Sequence, residues 1–189
     1  PRQIVVLPTG TGEAKRITND SMQHHYASFL DDRRIVFAGS EPGRAVRLYV
    51  QDISGGAPRP ISPEGVQPGV IIVSPDARWV AGMSSEWRAW LYSTHGDPGR
   101  QIPGLLPGDR PIKFGDGGRT LYVRRGEYPL RVFRVDLPSG KLEPWKEVSP
   151  ADPAGLVSLY GPRMTADGRA YAYTYARQLS DLYLVDGLK

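Results

Sequence analysis

The stretch Val73-Ser74-Pro75-Asp76-Ala77-Arg78-Trp79-Val80-Ala81 places a Ser-Pro-Asp turn between two short apolar runs. Proline at the second position of a tight turn has its φ angle already restricted, and the Asp side chain can bond the backbone just beyond it. The stretch therefore predicts a hairpin of two β-strands.

Related corners recur along the chain, each with an Asp, small or polar residues and an Arg before an apolar run. They are Phe29-Leu30-Asp31-Asp32-Arg33-Arg34-Ile35, Phe114-Gly115-Asp116-Gly117-Gly118-Arg119-Thr120-Leu121 and Met164-Thr165-Ala166-Asp167-Gly168-Arg169-Ala170. The corner aspartates Asp32, Asp76, Asp116 and Asp167 are separated by 44, 40 and 51 residues. A period of this size indicates a repeat architecture. We assign the four aspartates a structural role in the turns.

Each repeat contains enough strand-like segments for a small sheet. Two strands flank the corner, a third follows (Leu48-Tyr49-Val50 in the first copy), and a short fourth ends near Ile61 after a Gly-containing turn. The 22 glycines and 18 prolines are scattered between apolar runs, as expected for many short strands joined by turns. Repeated four-stranded units of this length are blades of a β-propeller. The sequence thus predicts an all-β propeller of four-stranded antiparallel blades.

The same residues resemble a known family. The corner at Ser74-Pro75-Asp76-Ala77-Arg78, with segments such as Leu48-Tyr49-Val50 and Ser54-Gly55-Gly56 in the preceding repeat, resembles the WD-repeat-like blades of TolB-type propellers. The resemblance covers nearly the whole chain and is strongest between about residues 67 and 102. In the other corners Ser-Pro is replaced by Leu30-Asp31, Phe114-Gly115 and Thr165-Ala166.

We expect one propeller domain or fragment over residues 1–189, with about four blades and a partial terminal blade. The predicted divisions are terminal strands at 1–18 and blades at about 23–61, 67–102, 109–145 and 157–189. The ends do not match simply, because Ile4 to Leu7 and Leu182 to Val185 would compete for the same place in a closed four-bladed ring. The alternatives are an open arc of a longer parent protein and an arc that completes its ring with a second copy. The start at Pro1 without Met favours a trimmed product or a piece of a longer protein.

Strand alternation predicts two opposite faces, with the Asp corners on one and the other loops on the opposite rim. That rim is rich in Arg, aromatic residues and His, which are types favoured at binding hot spots. Its candidate partner-binding residues are His24, His25, Trp87, Arg88, Arg110, Arg124, Arg125, Tyr128 and Tyr160.

The sequence contains no recognisable catalytic or metal-binding motif. It has no cysteine, and neighbouring His24 and His25 in a strand would point to opposite faces, so we expect no metal and no cofactor. No nucleophile elbow or Ser/His/Asp set is evident, which favours a non-enzymatic role.

The net charge of +4 comes from Arg residues spread among turns, so we expect no nucleic-acid partner. The longest apolar run has four residues, so we expect a soluble domain without a membrane span, in either periplasm or cytoplasm.

These observations lead to a functional hypothesis and two alternatives. The segment from Tyr175 to Lys189 looks like the C-termini of bacterial signalling proteins in which a propeller follows a Ser/Thr kinase or a winged-helix regulator. The resemblance implies a sensor or scaffold module that binds a protein or peptide. The alternatives are the substrate-gating propeller of a prolyl-oligopeptidase-like peptidase and a self-associating arc.

Overall fold

The computed structural model describes residues 1–165, 168–180 and Gly187, and nearly all of its regular structure is short β-strand. The chain begins with a hairpin of β1 (Val5–Val6) and β2 (Lys15–Arg16). Three four-stranded antiparallel sheets follow, each built from consecutive strands. The all-β propeller architecture predicted from the repeats is confirmed.

The three sheets are the first, second and third blades, named in chain order. The first blade comprises β3 (Gln23–Phe29), β4 (Arg34–Ser40), β5 (Arg47–Asp52) and β6 (Arg59–Pro60). The second comprises β7 (Gln67–Val73), β8 (Trp79–Met83), β9 (Ala89–Ser93) and β10 (Arg100–Gln101). The third comprises β11 (Arg110–Gly115), β12 (Thr120–Arg125), β13 (Leu130–Asp136) and β14 (Leu142–Val148), with a 3-10 turn (Asp116–Gly118) between β11 and β12.

A further hairpin follows the third blade. It is formed by β15 (Leu156–Leu159), β16 (Arg163–Met164), β17 (Tyr171–Ala172) and β18 (Tyr175–Arg177), in which β15 pairs with β18 and β16 with β17. We call β15 to β18 the terminal hairpin. The predicted third strand of this unit, Leu182 to Val185, and the corner residue Asp167 lie outside the described residues.

The hydrophobic core is divided into layers that lie between successive sheets. One layer lies between the β1–β2 hairpin and the first blade, the next two lie between adjacent blades, and the last joins the third blade to the terminal hairpin. Alternate side chains of one strand belong to two different core layers. On β12, Leu121 and Val123 face the second blade, whereas Tyr122 faces the terminal hairpin. This is the period-two pattern of a strand that is covered on both faces. It accounts for the nearly continuous apolar sequences of β8 and β9 in the second blade.

The corner at Ser74 to Trp79 forms as the sequence predicts. Ala77 donates its backbone N–H to the carbonyl of Ser74, and the Asp76 carboxylate accepts bonds from the Ser74 hydroxyl at 2.5 Å and from the Arg78 N–H at 3.1 Å. Burial opposes the charged form of Asp76, but these hydrogen bonds outweigh it and lower the pKa of its carboxyl. The corner is therefore held by the side chains that the motif supplies.

The other two described corners use different bonds. In the first blade the carboxylate that accepts the backbone bonds, from Arg33 at 3.0 Å and Arg34 at 2.8 Å, belongs to Asp31 and not to the exposed Asp32. In the third blade Asp116 has a φ of 47° and accepts a bond from the Thr120 hydroxyl at 3.1 Å. The three repeats therefore share the position of the chain reversal, but they do not share the hydrogen bonds that hold it.

Candidate functional site: a cationic axial cavity and its rim

The first strands of the three blades and the terminal hairpin surround a cavity of about 600 Å³. β7 is the middle strand of this arrangement, because it packs against both β3 and β11. Tyr26, Ile72 and Ile112 contribute lining from the three blades, and Tyr160 and Arg163 contribute it from the terminal hairpin. We call this space the axial cavity. Its volume falls within the range of about 300–1,000 Å³ that is usual for ligand sites.

Three arginines line the axial cavity, and no carboxylate residue is among its lining residues in the described part of the chain. Arg110 and Arg124 stand directly opposite each other on β11 and β12, and Arg163 is on β16. In the same described ranges, none of the three forms an ion pair within 4 Å. Burial and the positive charge of Arg110 lower the pKa of Arg124. The charge of the nearby Glu127 carboxylate opposes this shift without cancelling it. Three arginines thus give the cavity lining an excess of positive charge.

Trp87 marks the rim beside this cavity. It occupies the last position of the turn that begins at Ser84, with a left-handed φ of 58°, and its side chain is 43% exposed. A bulky residue in this backbone region costs roughly 1–2 kcal/mol. The Gly108 N–H donates to the Trp87 carbonyl at 2.8 Å, so the loop is fixed to the connection into the next blade. The loop is therefore held both by its own turn bond to Ser84 and by the bond from Gly108, and it carries the exposed Trp87 ring.

Arg125, which sequence reasoning placed among the partner-binding residues, is committed to an internal ion pair. Its Nε and Nη2 donate to the two carboxylate oxygens of Asp109, each at 2.7 Å, and Asp109 is 1% exposed. The guanidinium also lies 4.7 Å from the centroid of the Phe133 ring. The hydrogen bond to Asp109 raises the pKa of Arg125. Arg125 therefore fixes the connection before β11, with little freedom to contact a partner.

His24 also lies away from the exposed rim, whereas its neighbour His25 is exposed. His24 is 4% exposed, donates from Nδ1 to the Arg2 carbonyl at 2.8 Å, and has its ring 4.9 Å from that of Phe37. His25 lies at a break in the β3–β4 register between His24 and Tyr26, where the extra residue of a β-bulge is left unpaired. His24 thus secures the N-terminal segment to the first blade and cannot touch a partner at the surface.

Three further predicted rim residues are accessible, namely Arg88, Tyr128 and Tyr160. Arg88 is half-buried with its Nε 3.7 Å from the Glu86 carboxylate, and the side chains of Tyr128 and Tyr160 are 52% and 58% exposed. The structure thus brings Arg110, Arg124 and Tyr160 together at the axial cavity. Sequence reasoning did not identify Arg163, which has no distinguishing local motif. Arg163 reaches the cavity because β16 follows the irregular segment at residues 160–162, and no local sequence pattern indicates this position.

Neither a metal-binding cluster nor a membrane-spanning helix is found among the described residues. No group of three or more His, Asp or Glu side chains could hold a metal ion. No helix in the same ranges has the length and apolar character needed to cross a membrane.

The comparisons with known proteins give a fold but no close relative. No protein-family model matches the chain, and no curated protein matches it in sequence. Among solved structures, TolB from Acinetobacter baumannii matches with a TM-score of 0.66 at 15% identity, over 93% of this chain and 49% of the TolB chain. An oligogalacturonate lyase from Vibrio parahaemolyticus matches with a TM-score of 0.61 at 13% identity, over 93% of this chain and 66% of the lyase. A prolyl endopeptidase matches with a TM-score of 0.53 at 14% identity, over 92% of this chain and 27% of the peptidase.

Successive four-stranded blades around a common axis define a β-propeller domain. The particular variety is the TolB-like β-propeller fold, as the repeat motif implied. The chain spans about half the length of the TolB structure that it matches.

Proposed function

We propose that this chain is a non-catalytic β-propeller module that binds a protein or peptide partner through the exposed part of the rim. The residues that would make the contact are Trp87, Arg88, Arg110, Tyr128 and Tyr160. Trp, Tyr and Arg combine large contact area with hydrogen-bonding or cationic groups, and they dominate binding hot spots. Arg110 and Tyr160 line the axial cavity, and Trp87 contacts Arg110, which supports recognition in preference to a uniformly solvated surface.

The conformation of Trp87 is the observation that carries this proposal. A large aromatic side chain is held in a strained backbone conformation, partly exposed, with the Arg110 guanidinium 5.0 Å from its ring centroid. Such strain persists where surrounding structure imposes it, and it concentrates at functional sites. A fold that needed only a turn at this position would be better served by glycine.

The wider context is proposed from the resemblance and the neighbours. The module would be the sensor or scaffold part of a bacterial signalling protein, with any catalytic activity in another part of the parent. The similarity to a prolyl endopeptidase favours a second candidate, a propeller that controls access to a peptidase domain. In that case the partner at the rim would be a peptide substrate on its way to the active site.

Affinity capture with matched variants tests the rim. We compare the wild type with the double variant Trp87→Ala, Arg88→Ala and with the control Phe29→Ala, Arg78→Ala. The control removes an exposed aromatic ring and an exposed Arg near the Asp corners, on the opposite face. The proposal expects capture of a defined partner by the wild type and the control and its loss in the rim variant. Unchanged capture by the rim variant would overturn it.

A measurement of mass separates the rim proposal from the self-associating arc. Light scattering coupled to size exclusion at high micromolar concentration gives a monomer if the module acts by binding a different partner. A stable dimer that survives the rim substitutions would instead support ring completion by a second copy.

A further inference from the structure

The arrangement of Arg110 and Arg124 is unfavourable without a counter-charge. Residues directly opposite each other on antiparallel strands have Cβ atoms about 4.5–5.5 Å apart, and like charges at such positions destabilise the sheet. Arg110 and Arg124 form such a pair, and Arg163 adds a third guanidinium to the same cavity. Burial and repulsion from Arg110 lower the pKa of Arg124, although the charge of Glu127 acts in the opposite direction. An anion at this place would relieve the repulsion.

The terminal hairpin shapes the cavity around Arg124. A Cβ atom at Gly161 would lie 3.3 Å from Cδ and 3.5 Å from Nε of Arg124, so the absence of a side chain at Gly161 makes room for the arginine. The Arg124 side chain therefore packs against the backbone of the neighbouring unit while it lines the cavity. This placement differs from that of a solvated surface arginine, because it restricts where the guanidinium can point.

The rest of the lining indicates what kind of anion would fit. Val70, Ile72, Ile112 and Pro162 line the same cavity as the three arginines. A cavity of about 600 Å³ with apolar walls suits an organic molecule better than a small inorganic ion. Guanidinium groups bind carboxylates through paired, charge-assisted hydrogen bonds. We propose that the axial cavity binds an organic carboxylate through Arg110, Arg124 and Arg163, supplied either as a free polycarboxylate or as the acidic side chains of a peptide.

This inference rests on the proposed function to the extent that Arg110, Arg124 and Tyr160 belong to both the rim and the cavity. The two are separable, because Trp87 and Arg88 do not line the cavity. Loss of partner capture on Trp87→Ala, Arg88→Ala together with absent carboxylate binding would defeat the cavity proposal alone. Carboxylate binding together with unchanged capture by that variant would defeat the rim proposal alone.

Isothermal titration of the whole 189-residue chain at matched ionic strength provides the test. The probes are citrate, an acetylated and amidated hexaglutamate peptide, the corresponding hexaglutamine peptide and inorganic phosphate. We expect binding of citrate, of hexaglutamate or of both, and no binding of hexaglutamine. A preference for hexaglutamate identifies a peptide source, and a preference for citrate identifies a free ligand. Binding of phosphate as tightly as the carboxylates, or of no probe, would overturn the proposal.

Variants locate the binding in the cavity. Arg124→Gln and Arg163→Gln should each weaken carboxylate binding by about 10-fold to 100-fold, as loss of a hydrogen bond to a charged group predicts. Gly161→Ala keeps every arginine and should weaken binding less than either arginine substitution, because its Cβ requires the Arg124 side chain to move only slightly. The control Arg78→Gln removes the same charge at an exposed corner. Circular dichroism and thermal unfolding confirm that each variant is folded. Equal weakening by Arg78→Gln would show unspecific attraction to a basic surface and would overturn the proposal.

Discussion

The guanidinium of Arg110, on the first strand of the third blade, lies 5.0 Å from the ring centroid of Trp87, in a loop of the second blade. A cation above an exposed aromatic ring contributes about 0.5–1 kcal/mol. This contact joins two successive blades at the rim. It also connects the partly exposed Trp87 to the axial cavity, because Arg110 lines that cavity. The same residue pair therefore relates the proposed partner surface to the proposed anion site.

Trp87→Gly should abolish partner capture without unfolding the module. Glycine accepts a φ of 58° without steric cost, so the relief of about 1–2 kcal/mol of strain offsets the lost contact with Arg110. Urea denaturation should give a free energy of unfolding within about 1 kcal/mol of the wild type. Trp87→Ala keeps the strain and loses the contact, so it should be the less stable of the two variants. The reverse order would show that Trp87 does not adopt the left-handed conformation in solution.

Arg125→Ala should destabilise the protein as a whole. It leaves the Asp109 carboxylate, which is 1% exposed, without its ion-pair partner, and loss of one member of a buried pair costs about 3–5 kcal/mol. Because the Arg125 side chain is partly exposed, we expect the free energy of unfolding to fall by about 3 kcal/mol, the lower end of this range. Arg125→Ala, Asp109→Asn should recover part of this loss in the same denaturation experiment. An Arg125→Ala variant that is fully stable but fails in partner capture would contradict this account and would indicate that Arg125 contacts the partner.

Asp31→Asn should lower stability at neutral pH, whereas Asp32→Asn should not. The hydrogen bond from the Arg34 guanidinium holds the pKa of the Asp31 carboxyl below its ordinary value of 3.8. The charged carboxylate therefore stabilises the fold above that value, and its contribution is lost as pH falls through the lowered folded-state pKa. We expect a difference of about 1 kcal/mol from the wild type at pH 7 that disappears in strong acid. A pH-independent difference would contradict this account.

His24→Ala should loosen the attachment of the N-terminal hairpin. It removes the hydrogen bond to the Arg2 carbonyl and the ring contact with Phe37, at an expected cost of about 2 kcal/mol. Hydrogen exchange should be faster at the Ile17 N–H, which donates to the Ile4 carbonyl at 2.9 Å. It should also be faster at the Ile4 N–H, which donates to the Thr18 hydroxyl at 2.8 Å. The matched control His25→Ala, at the exposed neighbour, should change stability by less than about 0.5 kcal/mol. Equal effects of the two substitutions would contradict the different burial of the two histidines.

The repeat period and the turn chemistry sufficed to predict the fold. Ser-Pro-Asp at residues 74–76 supplies its own hydrogen bonds, and the apolar runs beside it have the length of strands that are covered on both faces. Local information was insufficient at the first corner, where Asp31 and Asp32 are adjacent and equally suited by type. The register of β3 with β4 decides which carboxylate reaches the backbone.

The candidate site could be predicted only in part. Trp87 and Tyr128 follow from the position of their loops between strands, so their exposure was foreseeable. The burial of His24 depends on the packing of a separate hairpin, and the pairing of Arg125 depends on Asp109, which is 16 residues away in the chain. The cavity arginines come together through the arrangement of the blades and the terminal hairpin around one axis. Such contacts between distant segments have no signature in a short stretch of sequence.

Site-specific photo-crosslinking tests the central claim, recognition at the rim, most directly. A photoreactive phenylalanine is placed at Trp87 in one variant and at Phe29, an exposed aromatic position near the Asp corners, in another. Rim recognition predicts an adduct with one defined partner protein at position 87, competed by excess unmodified module, and none at position 29. Adducts with the same partner at position 29 alone, or equally at both positions, would contradict the account.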